Sequence, residues 1–262
     1  MSILQTHPRG LSVRETTSGI PGAQRVVFVH GAMDTGSSFS RLLAHLGDVD
    51  AVVYDRRGYG ESKLGGRAPF LIEEHVQDLL TLLEGHRSMV LAHSLGGVIA
   101  LAAAQRSPHL FAGLLTYEAP MPWAPWWPAL SLPRDPGNTE QVREAATLFL
   151  RRHLSDERWA ALDDEHREAL LVHGPAWAAE LSDARSGPPA FAPEDICVPL
   201  LAVHGTLTDE RHREATALLA QRAPEARLAT IEGAGHLGHR RHSEALAALL
   251  REHLAATAEA KA

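Results

Sequence analysis

A chain of 262 residues, 45% hydrophobic and 22% charged, has enough apolar material for one large α/β domain or two small ones. Its net charge of −7, with basic residues gathered only in pairs such as Arg56-Arg57 and Arg240-Arg241, argues against nonspecific binding to nucleic acid or to an anionic membrane. A single cysteine, Cys197, excludes an internal disulfide and a cysteine-rich zinc site.

The opening MSILQTHPRG lacks the basic start and apolar run of a secretory leader. No stretch reaches the ~18 apolar residues of a membrane span. The expectation is a soluble, cytoplasmic chain. Residues 10–19, GLSVRETTSG, alternate weakly and predict an antiparallel edge strand. Strand-length apolar runs follow at 25–31, 49–58, 88–94, 111–119, 198–205 and 226–236. Several are rich in Val, Ile and Leu without polar alternation, the pattern of parallel strands buried on both faces. Cys197, in ICVPLLAVHG, reads as a buried thiol of such a strand. Helical patterns fall between the runs, at 38–47, 71–86, 96–108, 211–224 and 242–257, and the final AEAKA reads as a frayed end. Strand alternating with helix predicts a doubly wound, mostly parallel α/β sheet.

One stretch breaks the alternation. Residues 119–196 contain no good strand and open on APMPWAPWWPALSLPRDPGN, rich in Pro and Trp. Helical segments follow at TEQVREAATLFLRRHL and ERWAALDDEHREALLVHG, before SGPPAFAPED leads back to the sheet. So long a stretch needs structure of its own, which predicts a helical cap over residues 119–196 on a core made of 1–118 and 197–262.

Ligands of open α/β sheets gather at the carboxyl ends of the strands. Those ends carry His30-Gly31-Ala32-Met33, Asp55 to Ser62, His93-Ser94-Leu95-Gly96-Gly97, Tyr117-Glu118, Gly205 to Asp209, and Gly233-Ala234-Gly235-His236. Serine, acid and histidine occur in the chain order that Ser–acid–His machinery uses on this architecture. Taken together, FVHGAM, YDRRGYGES, AHSLGG and GAGH make the chain resemble the α/β-hydrolase superfamily over nearly its whole length. The resemblance implies an eight-stranded, mostly parallel sheet, a variable cap after the sixth strand, and hydrolysis of acyl compounds with no cofactor and no metal.

In AHSLGG the strand-to-helix turn pushes the Ser94 hydroxyl into the open, as a nucleophile requires. Ala92 stands where the superfamily pattern has glycine, a small departure. His236 is the candidate base, since the small residues of GAG let the imidazole approach the serine. His236, His239 and His242 recur at three-residue spacing, but no carboxylate or cysteine beside them completes a metal-ligand set. The backbone N–H groups of Ala32 and Leu95 are the candidate oxyanion donors, and Gly31 lets the substrate come close. In YDRRGYGES, Asp55 and Arg56 are expected to pair near the active-site floor, with Gly58 and Gly60 in a tight turn.

The acid stays open between two residues. The superfamily usually carries it three residues after the glycine that ends the penultimate strand, and counting from Gly205 lands on Thr208, one short of Asp209. Some members carry it one strand earlier, where Glu118 stands in LLTYEAP. Glu118 is preferred and Asp209 is the alternative, with Asp209 otherwise a helix N-cap. Trp123, Trp126 and Trp127, interleaved with prolines, are expected to wall an apolar pocket over Ser94 together with Gly31, Met33 and His93; Trp159 and Trp177 read as core. The reading is a serine hydrolase that cleaves an ester, thioester or lactone of a small apolar acyl group. The alternatives are a cofactor-free perhydrolase or carbon–carbon hydrolase with the same three residues, or a ligand-binding protein without turnover. Oligomeric state has no signature in the sequence.

Overall fold

The structure is a computed structural model that describes residues 2–6, 9–62, 70–129 and 132–259. Among the described residues eight strands form one sheet: β1 (Ser2–Thr6), β2 (Ser12–Thr16), β3 (Arg25–Val29), β4 (Asp50–Tyr54), β5 (Ser88–His93), β6 (Phe111–Tyr117), β7 (Leu200–Gly205) and β8 (Ala226–Ile231). The helices are α1 (Ser40–Leu43), α2 (Ile72–Leu83), α3 (Leu95–Arg106), α4 (Thr139–Leu154), α5 (Asp156–Ala161), α6 (Asp164–Leu171), α7 (Gly174–Ser186), α8 (Glu210–Arg222), α9 (Gly238–Arg241) and α10 (Ser243–Glu259).

The spatial order is β1-β2-β4-β3-β5-β6-β7-β8. β2 pairs antiparallel with β1 and β4, and the neighbouring pairs from β4 to β8 are parallel. The strand predicted at 10–19 is therefore antiparallel, but it is not the edge. β1, which carried no clear strand pattern, lies outside it. The C-terminal residues 260–262 of the expected frayed end lie outside the described residues.

The central strands are buried on both faces because helices cover both. Val27 and Val29 of β3 join a core that includes residues of α2, α3 and α8. Val26 and Phe28, pointing the other way, join residues of α10 and Leu42 of α1. That alternation explains why β3 reads as an unbroken apolar run. α3 is apolar all round and almost wholly buried, as a helix wedged between a sheet and another helix must be. The chain moves from β3 outward to β4 and then returns to β5 on the other side of β3. The order thus reverses between β3 and β5, and a crevice opens at their carboxyl ends.

The segment between β6 and β7 holds α4, α5, α6 and α7 and no strand among its described residues. The single helical pattern expected over ERWAALDDEHREALLVHG is broken in two, because Asp163 caps α6 by accepting from the His166 N–H. α7 carried too many small residues for its periodicity to stand out. It nevertheless buries Trp177 and Leu181 against α4 residues, whereas Trp159 is only half-buried. Cys197 is exposed, contrary to the expectation of a buried strand thiol. Pro199, which has no N–H to give a strand, delays β7 until Leu200 and leaves the cysteine in the preceding turn. Among the described residues no helix is long and apolar enough to cross a membrane.

Candidate active site

Ser94 sits between β5 and α3 with φ 51° and ψ −126°. A left-handed conformation at a non-glycine residue costs about 1–3 kcal/mol and persists only where its surroundings hold it. Here the turn is held by the Ser94 N–H donating to the Tyr117 carbonyl at 2.9 Å and the Gly97 N–H donating to the Ser94 carbonyl at 2.7 Å. Gly96 is obligatory, since a Cβ there would lie 2.5 Å from the carbonyl oxygens of both Val29 and His30. Ala92, in place of the pattern's first glycine, is fully buried in the strand. Met33 and Glu118, at neighbouring strand ends, also have positive φ, at 52° and 54°.

The three polar groups form a continuous line. The Ser94 hydroxyl lies 3.1 Å from His236 Nε2, and His236 Nδ1 lies 2.7 Å from Glu118 Oε2. A carboxylate only accepts, so Nδ1 carries the imidazole proton and Nε2 presents its lone pair to the serine. Glu118 is fully buried at the end of β6. Its Oε1 accepts from the Gly205 N–H at 3.0 Å and its Oε2 from the Thr208 hydroxyl at 2.7 Å. Burial pushes the Glu118 carboxyl up, but His236, the Gly205 N–H and the Thr208 hydroxyl outweigh it and hold the group below the usual glutamate value.

The two acid candidates therefore separate. Asp209 is exposed and pairs with Arg211 at 2.9 Å; it makes no contact with His236 and no side-chain cap bond to α8. Thr208 holds the seat that counting indicated and donates its hydroxyl to the Glu118 carboxylate arriving from β6. The loop that carries His236 is fastened from below. The Tyr117 hydroxyl donates to the Gly235 carbonyl at 2.7 Å, the Leu207 N–H to the Ala234 carbonyl at 2.8 Å, and the Gly233 N–H to the Thr206 hydroxyl at 2.9 Å.

A cavity of about 40 Å³ covers Ser94. Ala32, Leu95, Pro120, Pro122, Trp127, Phe149 and Leu181 make its apolar walls, and His153, Arg211, His212 and His236 its polar side. Of the residues expected to wall it, Trp127 alone does so. Gly31 lies behind Ser94, where a Cβ would come 3.1 Å from the serine Cβ. Met33 packs into the cluster formed with α4 and α7. Trp123 stacks edge-on against Phe191, and Trp126 faces an outer groove with Arg152 and Glu214. His93 is buried and donates from Nε2 to the His236 carbonyl at 3.0 Å. Burial keeps its pKa well below that of free histidine, so it is a neutral brace rather than a wall.

Sequence reasoning missed His153 and His212, whose rings each lie 4.6 Å from the His236 ring. It also missed Arg211; Arg211 and His212 follow the end of β7, a weak local signal, and His153 at the end of α4 has none. Burial pushes the pKa of both histidines well down, so both are neutral at pH 7. The structure supplies the carboxylates that the His236–His242 stretch lacked: Asp34 lies with His93 and His239, and Glu118 with His212 and His236, each set with ligand atoms within 4.8 Å. Asp34 is already ion-paired with Arg240.

Arg56 does not pair with Asp55. It is fully buried and meets Glu180 of α7 at 2.7 Å, while Nε and Nη2 donate to the carbonyls of His30 and Gly31 at 2.9 and 3.0 Å. Tyr59 donates to the same carboxylate, and His75 lies 3.2 Å from it. Asp55 instead accepts from the Gly36 and Glu61 N–H groups. The helical segment over the sheet is thereby tied to the loop that carries Ala32.

Residues 26–249 match the alpha/beta hydrolase family. A pimeloyl-[acyl-carrier protein] methyl ester esterase from Sodalis glossinidius is 26% identical over 234 residues, covering 82% of this chain and 87% of that protein. The lipase LipV of Mycobacterium tuberculosis is 32% identical over 103 residues, 38% of this chain and only 39% of that protein's length. Among solved structures, a thermophilic esterase from Thermogutta terrifontis superposes with a TM-score of 0.72 at 20% identity, covering 98% of this chain and 99% of that one.

Proposed function

The chain belongs to the alpha/beta hydrolase family, and from that premise we propose that it is a serine esterase working through an acyl-enzyme on Ser94. One observation carries the proposal: the unbroken line Ser94 Oγ, His236 Nε2, His236 Nδ1, Glu118 Oε2, at 3.1 and 2.7 Å. A serine hydroxyl needs a base within hydrogen-bond reach, and the base needs a group that fixes its tautomer.

In the proposed reaction Ser94 Oγ attacks the acyl carbon while its proton passes to His236 Nε2. Glu118 holds the Nδ1–H and offsets the charge of the imidazolium. The N–H groups of Leu95, at the start of α3, and of Ala32 receive the oxyanion. The imidazolium then protonates the departing alcohol as the carbon–oxygen bond breaks. Water repeats the sequence on the acyl-enzyme, releases the acid and restores Ser94. Each oxyanion donor is worth roughly 2.7–4 kcal/mol of transition-state stabilisation.

The segment 119–196 serves as the cap in this reading, since Pro120, Pro122, Trp127, Phe149, His153 and Leu181 all come from it. The small cavity with its apolar walls suits a short acyl group. A chain with no disulfide and one exposed thiol suits a reducing compartment, so the proposal places the enzyme in the cytoplasm. Hydrolysis of p-nitrophenyl esters of graded chain length, with a thioester and a lactone alongside, tests the reading. Turnover should be greatest for the shortest acyl groups and should vanish in Ser94→Ala; turnover that persists in that variant would refute it.

A further inference from the structure

We infer that the cavity over Ser94 is built for a short acyl ester bearing a carboxylate a few atoms from the scissile carbonyl, and that Arg211 binds that carboxylate. The inference rests on the esterase reading above and narrows its substrate class to monoesters of short dicarboxylic acids.

Arg211 lies in the first turn of α8 and lines the same cavity as Ser94 and His236. Its side chain is only 10% exposed, and its guanidinium stands over the Trp127 ring at 5.4 Å. A guanidinium brings five N–H donors, and each one buried without an acceptor is costly. Nη2 donates to Asp209, a carboxylate that is itself 59% exposed, while the buried Nε has no partner among the described residues. Trp127 Nε1, an N–H donor of a second cavity-lining residue, is also buried and without a partner among the described residues. Buried polar groups are nearly always paired in folded proteins, so two N–H donors left without an acceptor on cavity-lining residues, one of them on a cation, suit an acceptor-rich ligand.

The charge has one sign. Among the described residues that line the cavity, Arg211 is the permanently charged one. Asp209, the carboxylate that pairs with Arg211, lies in the outer groove and not in the cavity lining, and Glu118 already accepts from His236, Gly205 and Thr208. Burial, the largest influence on the Arg211 guanidinium, lowers its pKa, the mark of a cation with less solvation than it could use. Because Ser94 and Arg211 line the same cavity, the carboxylate and the ester carbonyl must lie within a few bonds of each other, and the walls must part to admit the ester.

The test compares monomethyl succinate with methyl levulinate, which puts a methyl ketone where the succinate has its carboxylate. The wild-type enzyme should favour the succinate ester at least tenfold in kcat/KM, about 1.4 kcal/mol, mainly through KM. In Arg211→Gln the ratio should fall to near one, and Arg211→Lys should restore part of it. Equal kcat/KM for the two esters in the wild type, or a preference that survives Arg211→Gln, would overturn the inference and leave the esterase reading intact. Binding is read separately by titrating Ser94→Ala with monomethyl succinate in a calorimeter. Heat that is lost in Ser94→Ala/Arg211→Gln supports the carboxylate site even if neither ester is turned over, a result that would count against the esterase reading alone. No binding to Ser94→Ala would overturn the site.

Discussion

Replacing Glu118 by glutamine removes a charge while keeping the side chain's shape. The carboxylate accepts three hydrogen bonds, from the Gly205 N–H, the Thr208 hydroxyl and His236 Nδ1. A carboxamide has one oxygen for them. If that oxygen faces Gly205, the amide NH2 faces Thr208 and His236. The threonine hydroxyl can turn to accept, but the imidazole can accept only by moving its proton to Nε2, which leaves no lone pair for Ser94. If the amide is flipped, its NH2 opposes the Gly205 N–H and leaves a buried donor unpaired, at about 1–3 kcal/mol. The first arrangement avoids that cost and holds the wrong tautomer. The expected loss is therefore as much as ~10⁴ in kcat with the fold preserved, or roughly 5.4 kcal/mol of activation free energy. Asp209→Asn removes the partner of Arg211 but touches none of the Ser94, His236 and Glu118 contacts, and should leave kcat on a p-nitrophenyl ester within about twofold. Steady-state kinetics on a p-nitrophenyl ester, with circular dichroism to confirm folding, compares the two. A folded Glu118→Gln enzyme within tenfold of wild type, or an Asp209→Asn enzyme that is the more damaged, would refute the assignment of the acid.

Glu180→Ala strands Arg56 without its counter-charge, which should cost about 3–5 kcal/mol and lower Tm by roughly 10 °C; a thermal melt within about 2 °C of wild type would contradict the account of this pair. Burial raises the Glu180 carboxyl, yet Arg56 and His75 hold it below the ordinary glutamate value, so the stabilisation is complete above the unfolded value near ~4.3 and is lost as pH falls through the folded one. Glu180→Gln should accordingly flatten the acid limb of the stability curve below about pH 4, and an unchanged limb in urea melts would count against it. Trp127→Ala should shift chain-length preference toward longer acyl groups, whereas Trp126→Ala, which faces the outer groove, should not; the p-nitrophenyl ester series distinguishes them.

What the sequence made legible was local. Strands such as β3 and β5 announce themselves because helices cover both faces and no polar residue interrupts them. Ser94 announces itself because a serine at the end of such a strand, with Ala92 and Gly96 around it, has little structural reason to be there. The choice between Glu118 and Asp209 stays open in the sequence because the groups around the Glu118 carboxylate are spread over two strands. Glu118 arrives from β6, Thr208 from the turn after β7, and counting along the chain registers only the second. Arg56 and Glu180 are 124 residues apart, so their buried pairing had no local sign. The cavity walls were misjudged for a related reason. Trp123, Trp126 and Trp127 lie within five residues and share one hydrophobic cluster, but Trp123 meets Phe191, Trp126 faces an outer groove and Trp127 alone reaches the cavity. Arg211 and His212 open a helical pattern with no chemical signature of its own, and only the fold brings the His212 ring to 4.6 Å from His236 and Arg211 to the same cavity.

The most direct test of the central claim is covalent labelling by a fluorophosphonate probe, followed by peptide mapping. Oγ of a serine activated by His236 should react once per chain, with the adduct on Ser94, and Ser94→Ala should take no label. Labelling that survives Ser94→Ala, or an adduct mapped to another serine, would contradict the acyl-enzyme mechanism.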